Sequence, residues 1–367
     1  MARLKPPFRA DQVGSLLRPE RLATARHQAL EGKISGEALK AIQDECIADA
    51  VKKQEALGLK AVTDGEFRRD AWQWDFLCGL EGVEQREEDW GVAFQSGHAP
   101  RSVYTFGKIS NPGGVFVEGF KYLKSLASVT SKLTIPSPAM MYHRAGRRAI
   151  DADVYPGNDA FFEDIAVAYA EEVHLLGDAG CTYLQFDDTS YAMMCDQNVR
   201  QNIKERGDDP DDLIEVYGAT IGKATKDRPS DMAVTVHMCR GNHMSNWIAE
   251  GGYEPVAEKM FNAVDVDGYF MEWDTDRAGG FEPLRFVPDG KVVVLGLITS
   301  KFPELEDKDD IKRRIDEAAQ YVPLENLCLS PQCGFASTHH GNKLTEDEQF
   351  KKLALIVEIA EDVWGSV

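Results

Sequence analysis

Short apolar runs of the kind that form buried strands alternate along the chain with longer amphipathic runs. Eight apolar runs predict strands, and they cover residues 8–15, 61–66, 132–138, 182–188, 232–239, 267–273, 291–298 and 326–333. Residues 36–58 and 159–180 have apolar positions at helical spacing and end at or near a glycine, which predicts two long helices. Weaker helical patterns lie near 211–226, 254–263, 309–320 and 345–363.

The alternation of eight strands with helices predicts an α/β fold built on a parallel sheet. Eight is the number of strands that closes a (β/α)8 TIM barrel. An open doubly wound sheet is the competing interpretation, but no G-x-G-x-x-G motif follows the first strand. We therefore expect one barrel domain over residues 1–367, with residues from about 79 to 130 inserted after strand two as a hairpin or lid.

Charge and cysteine usage narrow the expected partners and compartment. The chain has 61 acidic and 41 basic residues and a formal net charge of -20, so nucleic acid and anionic membrane surfaces are not expected partners. It has neither an apolar signal segment nor a run of about 18 apolar residues, which favours a cytoplasmic protein without a membrane span. Seven scattered cysteines favour reduced thiols, some of them metal ligands. The oligomeric state stays open, a homo-oligomer included.

Polar or ionisable side chains stand at the carboxyl ends of the predicted strands. Barrels of this class build their active sites at those ends, from the loops that follow the strands. The residues there are Ser15, Asp64, Glu66, Ser137, Asp187, Asp188, His237, Cys239, Glu272, Thr299, Ser300 and Cys333. The sequence therefore predicts a functional site at the carboxyl-terminal mouth of the barrel.

Four of these residues could form a zinc site. His237 and Cys239 are two residues apart on one strand, so both side chains face the same side. Glu272 and Cys333 end nearby strands, and one His, two Cys and one Glu suit a tetrahedral zinc ion. The alternative is simple packing, because a buried cysteine often acts as a small hydrophobic residue. Cys328, five residues before Cys333, is expected to face the opposite side of its strand and to pack.

Such a zinc ion would support chemistry on a substrate thiol. A metal ion lowers the pKa of a bound thiol, so that the thiolate is present at neutral pH and can attack an electrophilic carbon. Glu66 and Asp187 could act in catalysis by holding the ammonium group of an amino-acid thiol through charge-assisted hydrogen bonds. Ser15 could bind its carboxylate. The constellation predicts S-alkylation of an amino-acid thiol.

The chain resembles the cobalamin-independent methionine synthases, specifically their catalytic C-terminal barrel. The segments that carry the resemblance are VGSLLRP (13–19), VTDGEFRRD (62–70), YLQFDD (183–188), VHMCRGN (236–242), FMEWD (270–274) and LSPQCGFAS (329–337). The resemblance implies a methyltransferase that converts homocysteine to methionine through a zinc-bound thiolate. Its implied zinc ligands are His237, Cys239, Glu272 and Cys333, and its implied homocysteine contacts are Val13, Gly14, Ser15, Glu66 and Asp187.

Two departures from the family pattern leave the methyl donor open. Full-length members carry an additional N-terminal barrel that helps to bind polyglutamated folate, whereas the barrel expected here begins near residue 8. Members also carry an Asp-Ile-His-Ser-Pro segment on strand seven, whose histidine is the proposed proton donor to folate. Residues 296–306 read GLITSKFPELE here, and Lys301 in this segment is predicted to contact substrate. The chain therefore resembles the stand-alone core-type members, with methyltetrahydrofolate or a methylcorrinoid as donor.

Two alternatives to this function remain. The related epoxyalkane:coenzyme M transferases use the same kind of zinc site to attack an epoxide, and they would need cations for the sulfonate. Arg18, Arg68, Arg144 and Lys301 lie near predicted strand ends and could serve. The second alternative is a non-catalytic barrel in which zinc is structural and the mouth only binds a ligand. Structural zinc sites are usually closed cages, so this alternative is the weaker one.

Overall fold

The computed structural model describes residues 3–86 and 102–367, and a parallel sheet forms its centre. Seven parallel strands pair in the order β1-β4-β5-β6-β7-β8-β9, and β2 and β3 form a separate antiparallel pair. The strands are β1 Ala61–Val62, β2 Glu81–Arg86, β3 Ser102–Ser110, β4 Thr130–Pro136, β5 Tyr183–Asp188, β6 Ala233–Met238, β7 Gly268–Glu272, β8 Val292–Ile298 and β9 Leu327–Pro331. Every residue of β5, β7, β8 and β9 is buried, as in a parallel sheet covered on both faces.

The segment predicted as the first strand, 8–15, closes the sheet without being a regular strand. At β9, the Asp11 N–H donates to the Leu329 carbonyl at 3.0 Å, and Ala10 forms an isolated parallel bridge to Leu329. At the other edge, the Leu16 N–H donates to the carbonyl of Gly65 at 3.0 Å, just after β1. The segment thus lies between the two edge strands. The predicted α/β barrel fold is confirmed, while the prediction of a regular strand over 8–15 is wrong.

Helices connect the strands and cover the outside of the sheet. They are α1 Glu20–Leu30, α2 Gly36–Ala56, α3 Trp74–Leu77, α4 Val117–Leu126, α5 Asn158–Asp178, α6 Ser190–Met193, α7 Gln197–Glu205, α8 Pro210–Thr225, α9 Ala257–Ala263, α10 Lys308–Ala318 and α11 Glu346–Trp364. The two long predicted helices are confirmed as α2 and α5, and the weaker patterns correspond to α8 to α11. The last helix begins with a capping box, in which the Thr345 and Glu348 side chains each accept from the other residue's backbone N–H.

The stretch from about 79 to 130 contains more than the hairpin that the sequence suggested. Strands β2 and β3 form an antiparallel pair within it, and α4 follows. Helix α4 packs on β4 and between α2 and α5, so it belongs to the helical layer of the barrel. Residues 87–101, between β2 and β3 in the sequence, lie outside the described residues. The predictions of one domain and of a lid stay predictions.

Candidate metal centre and substrate pocket

The end of β6 and the loop after β9 bring a histidine and two cysteines together at the mouth of the barrel. His237 lies on β6, Cys239 follows the strand, and Cys333 lies two residues beyond the end of β9. The potential ligand atoms of these three buried side chains all lie within 4.8 Å of one another. The structure therefore brings together three of the four side chains predicted as zinc ligands.

The geometry and the unused hydrogen-bonding groups fit a metal ion. The Cys239 and Cys333 sulfur atoms are 3.6 Å apart. Two thiolates that bind one tetrahedral zinc ion at about 2.3 Å stand about 3.8 Å from each other. Both ring nitrogens of His237 are buried and make no hydrogen bond to the described residues. A buried imidazole without partners carries a desolvation cost that coordination would offset.

The contact between the two thiols shifts their pKa values in opposite directions. The hydrogen bond with Cys239 lowers the pKa of Cys333 well below the usual thiol value, and the same contact raises the pKa of Cys239 well above it. Burial lowers the pKa of His237, but the neighbouring Cys333 and Asp187 more than offset it, and the net pKa is raised. Of the two thiols, Cys333 is therefore the one that loses its proton more readily, and the thiolate is the form that binds a metal ion.

Glu272 has different partners from those predicted. It ends β7 and is fully buried, but one carboxylate oxygen lies 2.5 Å from a guanidinium nitrogen of Arg277. The other oxygen accepts from the Arg240 N–H at 3.0 Å. Nearby cations, Lys301 first among them, offset the effect of burial and lower the pKa of Glu272. Glu272 lies outside the His237–Cys239–Cys333 group, and its role as a metal ligand stays a prediction.

Glu66 and Asp187 lie together in the same pocket, as the sequence predicted for an ammonium-binding pair. Burial is the main cause that raises the pKa of both carboxyl groups, that of Asp187 to about 7, and the Glu66 carboxyl group adds to the rise at Asp187. Glu66 accepts from the Thr134 hydroxyl at 3.0 Å and lies 3.5 Å from Arg69, but one of its oxygens makes no hydrogen bond. Its backbone is left-handed, with φ 60°, which is strained for a residue with a long side chain.

The segment Val13–Gly14–Ser15 forms one wall of this region. Val13 and Ser15 line the pocket, and Gly14 packs closely behind them. A Cβ atom on Gly14 would lie 2.6 Å from the Thr134 side chain, and its φ of 150° is strained for other residues. The Ser15 hydroxyl accepts from the backbone of Ala336 at 3.4 Å. Val13 and Ser15 are thus at the pocket and Gly14 is behind it, and the substrate contacts of all three residues stay predictions.

Lys301 is buried close to the metal cluster but outside the described lining of the pocket. Its ammonium group lies 3.5 Å from the carbonyl of Gly241, and its side chain is fully buried. Its charge lowers the pKa values of Cys333 and Glu272. The predicted contact with substrate stays a prediction, and the structure shows a cation that compensates the acidic groups of the mouth.

One pocket joins the metal cluster to the predicted substrate-binding residues. The space between its walls, open solvent at the mouth included, is about 460 Å³. Its lining also includes residues that the sequence analysis did not assign to the site, namely Trp72, Thr189, Gly241, Asn242, Gly334 and Ser337. The Asn242 amide donates to the Gly334 carbonyl at 2.8 Å and so ties the loop after β6 to the loop after β9. Asn242 stands only three residues after Cys239, and this proximity was the available signal.

Cys328 packs as expected, but on the other side of its strand from the one predicted. It belongs to a buried cluster with Phe8, Tyr183, Phe270 and Val294, inside the barrel. It faces the same interior as the metal cluster and is separated from it by depth. Side chains alternate between the two faces only along a regular strand. Cys328 and Cys333 do not share one, because β9 ends at Pro331, before Cys333, and its pairing with β8 is irregular.

Comparisons with known proteins agree with this geometry. The family model described as the catalytic domain of cobalamin-independent synthase matches residues 8–362. YxjG of Bacillus subtilis is 46% identical over 99% of this chain and 97% of its own length. A 5-methyltetrahydropteroyltriglutamate--homocysteine methyltransferase of Ralstonia pickettii is 24% identical over 88% of this chain, which spans 38% of that longer protein.

Two solved structures share the fold over nearly the whole chain. A Listeria monocytogenes protein, provisionally named a vitamin-B12-independent methionine synthase, is 37% identical with a TM-score of 0.78, covering 99% of this chain and 100% of that one. A B12-independent methionine synthase from a Shewanella species, solved with selenomethionine, is 21% identical with a TM-score of 0.74, covering 97% of each chain.

In the described residues, no helix has both the length and the apolar character to cross a bilayer. The predictions of the family and of a methyltransferase are confirmed: this chain belongs to the cobalamin-independent synthase family, and the match covers its catalytic domain.

Proposed function

We propose that this protein is a zinc-dependent thiol S-methyltransferase that converts homocysteine to methionine. One observation carries the proposal: the group His237, Cys239 and Cys333 lines the same pocket as the carboxyl groups of Glu66 and Asp187. A soft-metal site beside an ammonium-binding site suits a substrate that has both a thiol and an amine. We further propose a cytoplasmic location, because the paired thiols need a reducing compartment.

The protein's own residues bind and orient the thiol substrate. Glu66 and Asp187 accept hydrogen bonds from its ammonium group, and the approach of this cation favours the ionised form of Asp187, whose pKa is about 7 without it. Val13, Gly14 and Ser15 hold the far end of the substrate against the pocket wall. His237, Cys239 and Cys333 would hold zinc, which, when bound, lowers the pKa of the substrate thiol and supplies a nucleophilic sulfur at neutral pH.

The charged residues Glu272, Arg277 and Lys301 set the charge around His237, Cys239 and Cys333. Glu272 is neutralised by Arg277, and Lys301 adds a positive charge next to two thiols that must both lose their protons. We propose that Glu272 would be the fourth residue to hold the zinc ion, in place of its contact with Arg277. Lys301 then helps to keep the cluster deprotonated.

The methyl donor that we propose is a methylated folate, because relatives that match most of this chain are named for that donor. A methylcorrinoid remains the alternative. Its leaving group needs no proton, and the strand-seven segment Thr299–Ser300–Lys301 has no histidine to supply one.

A second candidate function is alkyl transfer to a thiol that carries an acidic group but is not an amino acid, as in the coenzyme M transferases. Arg144 favours this function. It is the one side chain among the four cations named from the sequence that lines the described pocket. A non-catalytic zinc barrel fits less well, because the cluster lines a pocket and structural zinc sites are closed.

The proposal is tested by metal content and product formation in matched cysteine variants. We expect one zinc per chain in the wild type and in Cys328→Ser, and most zinc lost in Cys239→Ser and Cys333→Ser, with the far-ultraviolet circular dichroism unchanged. Zinc-loaded wild type is then incubated with homocysteine and either methyltetrahydrofolate or methylcobalamin, and methionine is quantified. If methionine forms with one of the two compounds, that compound is the methyl donor.

Two results would count against the proposal. Full zinc retention in both Cys239→Ser and Cys333→Ser would remove the cluster as the metal site. An absence of methionine with both donors, from protein that holds one zinc, would exclude homocysteine methylation and favour the second candidate function.

A further inference from the structure

We propose that Arg144 binds an oxyanionic group, a carboxylate or a sulfonate, of a substrate in the metal pocket. The inference deepens the proposed function, because it assigns the residue that selects an acidic substrate at that same site. The oxyanion comes either from the thiol acceptor or from the methyl donor.

The loop after β4 places Arg144 at the pocket wall. The residue lies between two short 3-10 helices, Pro138–Met141 and Gly146–Ala149, and its side chain is only 6% exposed. A guanidinium nitrogen of Arg206 donates to the neighbouring His143 carbonyl at 2.6 Å and holds the loop backbone. With its amide oxygen turned toward the loop, the Gln73 side chain accepts from the Arg144 guanidinium. Arg144 is therefore presented by a held loop and not by a mobile surface.

The structure separates Arg144 from the other cations near the mouth. Arg18 donates to backbone carbonyls in the loops after β1 and β9, at 2.8 Å and 2.6 Å. Arg68 pairs with Asp44, and Lys301 lies against a carbonyl of the loop after β6. Among the described residues that line the pocket, Arg144 is the one lysine or arginine. A negative group that enters this pocket therefore meets Arg144.

The charges in the pocket are arranged for a substrate with two opposite charges. The carboxyl groups of Glu66, Asp187 and Asp188 line the pocket together with Arg144. Burial lowers the pKa of Arg144 to about 10, which leaves it charged at neutral pH, and nearby Cys239 counteracts part of this effect. A guanidinium presents paired donors that match the two oxygens of a carboxylate or sulfonate. Arg144 lines the same pocket as His237, Cys239 and Cys333, so a ligand whose sulfur lies at these three residues can turn an acidic group toward the guanidinium.

The test uses cobalt-substituted protein, in which binding of a thiol to the metal is followed by its absorption spectrum without turnover. Four thiols are titrated: homocysteine, 2-mercaptoethanesulfonate, cysteamine and 2-mercaptoethanol. We expect the wild type to bind 2-mercaptoethanesulfonate about tenfold to a hundredfold more tightly than the uncharged 2-mercaptoethanol, the usual range for a charge-assisted hydrogen bond. Homocysteine, a zwitterion, should likewise bind more tightly than cysteamine, which has the ammonium group alone. Arg144→Gln should abolish this preference and leave the affinity for 2-mercaptoethanol unchanged, while Arg144→Lys should keep part of it.

Arg148→Gln is the matched control. Arg148 is four residues from Arg144 and its side chain is exposed and does not line the pocket, so this variant removes the same charge outside the site and the preference should persist. If Arg144→Gln keeps the preference but raises the KM for methyltetrahydrofolate about tenfold or more, the donor supplies the oxyanion. If neither property changes, the proposal is wrong. A preference for anionic thiols in protein that forms no methionine would support Arg144 and exclude homocysteine methylation, so the two proposals can fail separately.

Discussion

The two ends of the barrel interior handle buried charge in opposite ways. At the lower end, Lys132 and Asp11 are fully buried and pair at 3.0 Å, and the Tyr183 hydroxyl donates to the same carboxylate at 2.8 Å. The Lys132 ammonium also lies 4.0 Å from the centre of the Phe270 ring. Every polar side-chain atom of Asp11, Lys132 and Tyr183 has a partner. This is the arrangement that a buried ion pair needs to avoid a large desolvation cost.

At the mouth, the interior side chains leave hydrogen-bonding groups unused. Both ring nitrogens of His237, one oxygen of Glu66 and the amide oxygen of Asn242 are buried without hydrogen-bond partners. Strand β5 spans both regions, because Tyr183 lies at the lower end, Gln185 in the middle and Asp187 at the mouth. The difference teaches that the lower end is arranged for stability and the mouth for ligands that are not part of the chain.

The largest effect should follow from breaking the lower end. Lys132→Met leaves Asp11 as an uncompensated buried charge, and loss of one partner of a buried pair costs about 3–5 kcal/mol. We expect urea denaturation of the zinc-free protein to show a fall of this size in the free energy of unfolding. The folded fraction should still bind one zinc, because Lys132 lies near the start of β4, whereas the mouth is at the carboxyl ends of the strands.

The double variant Asp11→Asn/Lys132→Met is the control, because it removes both charges. It should recover part of the lost stability. A loss below about 1 kcal/mol in Lys132→Met, the range of exposed pairs, would show that the lower end is not held by this ion pair, and the contrast between the two ends would disappear.

The same kind of change at the mouth should have the opposite sign. Glu66→Gln removes a buried charge whose ionisation burial already disfavours. The loss of the 3.5 Å contact with buried Arg69 offsets part of this relief. We expect the zinc-free variant to be at least as stable as the wild type, with a gain of up to about 2 kcal/mol, the size of common stabilising substitutions. Binding of L-methionine, measured by calorimetry on zinc-loaded protein, should weaken at least about tenfold, because one acceptor of the ammonium loses its charge.

Glu66→Gln keeps the side-chain size, so packing changes little, and its left-handed backbone is equally strained for Gln. A variant that is less stable than the wild type would show that Glu66 is satisfied in the ligand-free protein, contrary to the contrast drawn between the two ends. Unchanged methionine binding would remove Glu66 from the substrate site.

The positions of the metal cluster could be predicted because they follow from strand geometry. His237 and Cys239 share a face by their spacing of two, and Cys333 follows the strand that closes the sheet. Glu272 met the same rule of position, but Arg277, five residues later, folds back onto it. That contact depends on the path of a loop, which no periodicity describes.

The first segment shows the same limit on predicting the fold. Residues 8–15 read as an apolar, strand-like run, yet Arg9, Asp11 and Gln12 are all buried. Their partners come from distant parts of the chain: Arg9 donates to the carbonyl of Leu327, and the Gln12 carbonyl accepts from Lys132. A pattern of polarity predicts exposure for such residues, and only the assembled barrel shows which side chains satisfy them.

The smallest effect that we expect concerns the rim of the pocket and its response to acid. His143, beside Arg144, is buried, and its Nδ1 has no hydrogen-bond partner. Burial, helped by Arg206 and Arg144, lowers the pKa of His143 well below the ordinary value of 6.5. At about pH 6.5 and below, His143 therefore takes up a proton in the unfolded chain but not in the folded protein. The free energy of unfolding that this site contributes falls as the pH falls.

The slope from one such proton is at most about 1.4 kcal/mol per pH unit. The raised pKa values of Glu66 and Asp187 have the opposite effect on the free energy of unfolding. As the pH falls, these two groups take up protons in the folded protein at a higher pH than in the unfolded chain. The measurement is accordingly a difference: urea denaturation of wild type and His143→Gln from pH 7.5 to about 5.5. The variant should gain stability relative to the wild type as the pH falls below about 6.5. Parallel pH profiles would mean that His143 is protonated in the folded protein, and that the rim, like the lower end, supplies a partner for its buried charge.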